Sequence, residues 1–434
     1  MGPAFSSVPF FEKEKRTGMK AVGIIAEYNP LHNGHIYHMK KARDLSGADA
    51  VVVAMSGNFV QRGMPAVFDK WTRTEHALQC GADLVIEIPV LSCLGNAGQY
   101  AESGVRLLES LGSVSYISFG SESGKTEDLT AAAAFIRDNR EAMDALIAEA
   151  VTEGLSFPRA RAKAYSQLGG PLGAIPDSPN DILALEYISA MSTSQPVSVT
   201  RKGAGYHDDY DDGEAYQSAS ALRELMRTGR DISSAVPGCT AVSSSDIPAV
   251  LSAEGEARLF DLVRYAVMSH SPEWIDDCPS GGEGLGNLLR RSCPDAGSLD
   301  DLISKVKSKR YTYTRISRLC MQVLLGITRA DFDPLHTGDK KISEPAYIRV
   351  LGFTGRGRKL LSEVRTNGSA SLPVITNINK EADLIHERGS KLLELDVYAS
   401  DIYSLLTGRD IAGYSDHRQK PVIIRDEKEK TADR

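Results

Sequence analysis

Ile25-Ala26-Glu27-Tyr28-Asn29-Pro30-Leu31-His32-Asn33-Gly34-His35-Ile36-Tyr37-His38 is the stretch on which the reading of this chain turns. It follows the apolar, β-branched run Ala21 to Ala26 and leads into an amphipathic segment, His35 to Leu45, so it reads as the passage from a first strand into a first helix. At such a junction the first helical amides lack intrahelical acceptors, and the helix dipole favours an anion. Gly34 has no side chain to hold a phosphate off the backbone. His32 and His35, three apart, can project toward one pocket. Their imidazole N–H groups would donate to phosphate oxygens and stabilise the charge that builds as an α-phosphate is attacked and pyrophosphate departs. Such a site needs no covalent nucleophile.

Outward from this stretch, β-branched runs recur at Ala50 to Met55, Leu84 to Ile88 and Val114 to Phe119. They alternate with amphipathic segments at Lys70 to Cys80 and Gln99 to Leu111, the pattern of a parallel sheet with crossover helices. The fold expected is α/β, a Rossmann-like doubly wound parallel domain spanning residues 19–235. Within it, the Gly/Pro-rich loop GGPLGAIPDSPN closes at Asn180, a helix runs from Asp181, a strand covers Pro196 to Thr200 and a helix covers Ala219 to Arg227. A helical domain is expected over 236–340 and a C-terminal β-α-β segment with a long helix over 341–410. Residues 1–18 read as a disordered leader and 411–434 as a polar tail.

Composition sets the outer limits. The chain has 434 residues, 42% of them apolar and 25% charged, with a net charge of -7. That excludes wholesale disorder and a uniformly basic nucleic-acid coat, so an anionic partner must be met by a local patch. No apolar run approaches the roughly 20 residues of a membrane span, and no secretory signal is visible. The six cysteines form no C-x-x-C pair. Free thiols in a cytoplasmic protein are expected, with no membrane association and no obligate protein partner. His32, His35 and His38 also allow a metal triad, but a phosphate-facing pair accounts for Gly34 and Pro30 as well.

His32-Asn33-Gly34-His35 resembles the HxGH motif of the nucleotidyltransferase superfamily, which also contains class I aminoacyl-tRNA synthetases. EYNPLHNGH, MSGNFVQRGMPAVFDKWTRTEHAL, GADLVIEIP and SFGSESG, then PNDIL, RKGAGYHD, KRYTYTRISR and RVLGFTGRGRKLL, resemble the bacterial tRNA(Met) cytidine acetate ligase family from Met19 to about Leu406. The resemblance implies an enzyme that activates acetate with ATP to acetyl-adenylate. It then passes the acetyl group to N4 of the wobble cytidine of elongator tRNA(Met). Carried over by position, ATP would meet Ile25, Ala26, Glu27, Tyr28, Asn29, Pro30, Leu31, His32, Asn33, Gly34, His35, Ile36, Tyr37 and His38, with Gly120, Asn180, Arg201 and Lys202. Ser218, Ser220 and Arg223 would close over the triphosphate, although Ala221 stands where the related pattern has a hydroxyl. His32 and His35 are the catalytic candidates, and Mg²⁺ is expected to arrive on ATP, held by phosphates and water. Without the resemblance, Gly120 is a turn glycine, Asn180 and Ser218 are helix caps and Arg201 is a surface cation.

For the RNA, Lys305 to Arg318 holds six cations, no acid and two tyrosines. Lys307, Lys309, Arg310, Arg315 and Arg318 would grip phosphates while Tyr311 or Tyr313 stacks on an unpaired base. Arg349, Arg356, Arg358 and Lys359 form a second basic cluster. Two other functions share parts of this pattern: adenylylation of a small phosphorylated metabolite, and tRNA binding without catalysis.

Overall fold

The computed structural model describes residues 18–155, 157–173, 175–176, 178–201, 217–241, 247–308, 310–332 and 345–425. Lys202, Lys309, nearly all of the expected leader and the last nine residues lie outside them. The strands are β1 (Ala21–Ala26), β2 (Ala50–Ser56), β3 (Phe59–Val60), β4 (Met64–Pro65), β5 (Leu84–Ile88), β6 (Val114–Ser121), β7 (Gln195–Thr200), β8 (Ile348–Thr354), β9 (Val374–Ile375) and β10 (Val422–Ile424).

One sheet runs in the order β10-β8-β5-β2-β1-β6-β7, with β9 beside β8, and β3 pairs with β4 in a separate hairpin. From β5 to β7 all pairings are parallel. Every residue of β2 is buried. Val52 and Ala54 enter one apolar core, while Val51, Val53 and Met55 enter the core on the opposite face. The run is therefore apolar throughout because both faces are covered by helices, and each buried valine stabilises the fold by about 1.5–3 kcal/mol. β1 lies between β2 and β6, so chain connections depart to either side of it and leave a crevice at its carboxyl end.

β8 breaks the parallel rule by pairing antiparallel with β5. Its carboxyl end, and the helix Gly355–Asn367 that follows, lie by the start of β5, where the Thr354 amide donates to the Asp83 carbonyl at 2.9 Å. The expected second basic cluster is split between the two ends of β8. Arg356 is exposed at this amino edge, 3.5 Å from Asp83, while Arg349 sits at the other end of β8. Arg349 is buried, 2.9 Å from Asp416 and 3.1 Å from Glu87, with Lys70 completing the ion cluster at 2.7 Å from each carboxylate. Arg349 is thus an internal counter-ion, and the expectation that it meets RNA is corrected.

The polar-tail expectation is corrected as well. Residues 422–424 form β10 at the sheet edge, and Asp416 is buried against Lys70. Nor is the segment after 340 a separate unit. β8 joins the main sheet, whereas Leu392, Leu393, Ala399, Tyr403 and Leu406 of the helix Glu387–Thr407 pack into the same core as the helical region. Phe59 of the hairpin enters that core too.

Candidate active site

The quoted stretch forms the turn between β1 and the helix Asn33–Ser46. Tyr28 takes a left-handed backbone conformation (φ 47°), uncommon for a side chain of its size, and its ring meets that of His35 edge-on at 4.9 Å. His32 and His35 stack with ring centroids 3.7 Å apart. The His32 backbone N–H donates to His35 Nδ1 at 3.2 Å. In the neutral ring this places the His35 proton on Nε2, making that atom a donor.

The three imidazoles are held neutral. Burial pushes His32 and His38 down to about 4, with the Arg201 guanidinium adding to the effect, and His35 is driven well below its ordinary value by burial and by its histidine neighbours. The pair therefore offers N–H dipoles rather than cations. Such groups stabilise developing negative charge without a proton having to move. His38 points elsewhere, its Nε2 lying 2.9 Å from Ser118 Oγ. No group of three metal-ligating side chains converges among the described residues.

Several polar groups in the turn are left without partners. His32 Nδ1 and Asn29 Nδ2 are buried with no hydrogen bond among the described residues. The helix's first amide, Asn33 N–H, is taken by the Ala235 carbonyl, and the His35 amide by the His32 carbonyl. These unpartnered nitrogens and the helix start are a polar cradle of the kind a triphosphate fills.

The other candidates converge on the same edge. Gly120 is the last residue but one of β6, and a Cβ placed there would lie 3.3 Å from Arg201 Cγ, so the missing side chain makes room for the arginine. Arg201 Nη1 donates to Asn180 Oδ1 at 3.1 Å, and Asn180 Nδ2 donates to Glu122. Asn180 is the second residue of the helix Pro179–Ala190, inside rather than at its cap, so its side chain is free for this bridge. Arg223 donates to the Asn29 carbonyl at 2.7 Å and to Ser220 Oγ at 3.1 Å, tying the helix Ala219–Arg227 to the turn. Ser218 caps that helix by accepting from the Ala221 N–H at 3.2 Å.

Two arginines went unassigned in the sequence. The buried Arg73 side chain donates to the carbonyls of Glu27, Ser56, Gly57 and Phe68, fastening the carboxyl ends of β1 and β2 together. Its signal was a cation one helical turn before Ala77 on the buried face of Lys70–Gln79. Arg62, at the hairpin tip, approaches Ser220 Oγ at 3.5 Å, and the Gln61 amide donates to Glu27 Oε1 at 3.0 Å.

The same hairpin meets the helix Tyr313–Leu324. Ser317 Oγ donates to the Gly63 carbonyl at 2.6 Å, and a Cβ on Gly63 would stand 2.3 Å from the Arg318 amide nitrogen. Around this helix much of the basic run already has partners. Arg315 donates to the carbonyls of Ser280 and Gly281, Arg310 pairs with Glu283 at 2.9 Å, and Lys305 pairs with Asp301. Tyr311 donates to the Glu283 carbonyl and Tyr313 to Asp300. Arg318 is pushed down to about 10 by burial and by Arg315, and its Nε has no acceptor among the described residues. Lys307, Arg356 and Arg358 are exposed.

Comparison with known proteins identifies the family. The family model described as HIGH Nucleotidyl Transferase matches residues 19–418. A tRNA(Met) cytidine acetate ligase of Clostridium perfringens is 36% identical, over 94% of this chain and the whole of the relative. The chain belongs to the tRNA(Met) cytidine acetate ligase family. A second member of the ligase family, from Acetivibrio thermocellus, is 35% identical over 89% of this chain and 94% of its own length. The crystal structure of Thermotoga maritima TmcAL bound with alpha-thio ATP superimposes with a TM-score of 0.81 at 30% identity, covering 94% of this chain and all of the other. Its apo form gives 0.81 at 31% identity. None of the described helices is long and apolar enough to cross a membrane.

Proposed function

We propose that this chain uses ATP to activate acetate and transfers the acetyl group to N4 of the wobble cytidine of elongator tRNA(Met), forming N4-acetylcytidine. Membership of the ligase family supports the reaction class. The observation that carries the residue assignment is the neutral, stacked His32–His35 pair beside the unpartnered side-chain nitrogens of His32 and Asn29 at the carboxyl end of β1.

In the first step an acetate oxygen attacks the α-phosphorus and the bond to the β-phosphate oxygen breaks, giving acetyl-adenylate and pyrophosphate. His35 Nε2–H and the ring N–H of His32 donate to the phosphate oxygens as charge accumulates. Arg223 and Ser220 close over the β- and γ-phosphates, and Arg201 with Asn180 and Gly120 borders the ribose side. Mg²⁺ would accompany the nucleotide, bound mainly to phosphate and water oxygens. In the second step the cytidine amine displaces AMP. The RNA would be gripped by Lys307, Arg310 and Arg318, near the hairpin that also touches the nucleotide site. Tyr311 would stack on a base after leaving the Glu283 carbonyl.

The experiment is incubation of purified protein with ATP, radiolabelled acetate and an unmodified tRNA(Met) transcript. Label recovered as N4-acetylcytidine after nuclease digestion is expected. Label absent from the tRNA, with an adenylylated small molecule formed instead, would contradict the proposal.

A further inference from the structure

Transfer of an acyl group to the exocyclic amine of cytidine poses a problem that activation alone does not solve. The amine's lone pair is delocalised into the ring, and the nitrogen must shed a proton as it bonds to carbon. A base at hydrogen-bond distance from that proton accelerates such a step by about 10²–10⁴. His35 and His38 are poorly suited to the task. His35 Nδ1 already accepts from His32, its Nε2 is a donor, and His38 is engaged with Ser118.

The carboxylates along this edge differ sharply in what holds them. Glu122 accepts from Ser178, Asn180 and the Asp181 amide. Asp181 accepts from Ser121 and the Ser123 amide. Glu87 is ion-paired with Lys70 and Arg349, and Asp69 caps its helix while pairing with Arg409. Glu27, one residue beyond β1, accepts a single bond at Oε1 from the Gln61 amide. Among the described residues Oε2 has neither a hydrogen bond nor an ion pair, and it is not among the buried orphaned atoms. It therefore keeps accessible surface in the turn that leaves β1, within electrostatic reach of Arg62 and Arg223.

We propose that Glu27 Oε2 receives the N4 amine of the target cytidine and removes its proton during acetyl transfer. The role rests on the ligase reading above. As the nitrogen bonds to the acetyl carbon, the proton passes to Oε2 and the acyl–oxygen bond to AMP breaks. AMP leaves with that electron pair, and Glu27 returns the proton to solvent. No oxidant, reductant or further reactant is required. Burial raises the Glu27 carboxyl above its ordinary range, against the lowering influence of Arg62, Arg223 and Arg73. Tyr100 and Tyr187 also lie within its electrostatic reach. A raised carboxyl is a stronger base once ionised.

The test compares two half-reactions in the full-length Glu27→Gln protein, which keeps an acceptor for the Gln61 amide. Acetate-dependent exchange of labelled pyrophosphate into ATP reads the first, and single-turnover acetyl transfer to tRNA(Met) transcript reads the second. Transfer is expected to fall about 100-fold more than exchange. The wild-type transfer rate should rise with pH along an acidic limb that the variant lacks. Added hydroxylamine, a stronger nucleophile, should still capture the acetyl group as the hydroxamate. Equal losses in both half-reactions, an unchanged transfer rate, or an acidic limb that survives in the variant would overturn the role of Glu27. Absence of acetate-dependent exchange in the wild type would instead overturn the ligase reading on which it rests.

Discussion

The turn at 25–38 and the basic run at 305–318 are both dense in functional side chains, yet the fold uses them in opposite ways. In the turn, His32, His35, Asn29 and Glu27 keep polar atoms without partners among the described residues. In the basic run, acids and carbonyls from 276–301 reach in and satisfy Lys305, Arg310 and Arg315. Local sequence specifies the turn because strand, helix start and histidines are contiguous. It misreads the run because a cation's availability depends on segments it does not adjoin. Among the described residues the run leaves one buried side-chain atom without a partner, Arg318 Nε, so unmet hydrogen-bonding capacity is concentrated in the turn.

The largest expected effect breaks the turn. His35→Ala should lower acetate-dependent pyrophosphate exchange by about 10²–10³-fold while changing tRNA affinity little, checked by exchange kinetics and filter binding. If tRNA affinity fell in parallel, the separation of the two regions would fail.

Next is the fastening of the strands beneath the turn. Arg73→Met should leave four carbonyl oxygens short of a donor and destabilise the fold by about 3–5 kcal/mol, read as a reduced denaturation midpoint. The hairpin that joins the regions is more moderately sensitive. Gly63→Ala combines a positive φ of 78° with a close approach to the Arg318 amide, and should cost about 1–3 kcal/mol. It should also slow acetyl transfer at subsaturating tRNA.

Acid sharpens the comparison further. His32 and His38 titrate near 4 when folded, against an ordinary 6.5, so the folded chain binds fewer protons than the unfolded one between those values. Their contribution is present above pH 6.5 and is lost as pH falls from 6.5 toward 4. Urea denaturation at steps across that interval should show the decline, and replacing His38 with Gln should reduce its slope.

The smallest effects belong to the basic run. Arg310→Ala and Lys307→Ala should each weaken tRNA binding and reduce the salt slope by about 1 at most. Arg315→Ala should lower thermal stability, because its guanidinium holds the Ser280–Gly281 turn.

Much of the fold was legible because its strands are short β-branched runs and its turn carries glycine and proline at the required places. β1, β5 and the helix Ala219–Arg227 follow directly from that patterning. The direction of β8 was not legible, since an isolated strand carries no mark of whether its neighbour runs with or against it. That reversal places Arg349 beside Glu87 at the carboxyl end of β5 and Arg356 at the opposite edge of the sheet. β10 was concealed by polar flanks, and the buried state of Asp416 depends on Lys70 and Arg349, both distant in sequence, and on Ser400 of the preceding long helix. The site's visible part was local, Ile25 to His38. Its missed part, Arg62 and Arg73, depends on contacts to β1 and to Ser220 that only the folded chain makes.

The most direct test is a crystal structure of this protein with a non-hydrolysable ATP analogue. The account predicts His35 Nε2 about 3 Å from a phosphate oxygen, with the triphosphate lying over the start of the helix Asn33–Ser46. A nucleotide bound away from this turn, with both imidazoles remote from its phosphates, would contradict it.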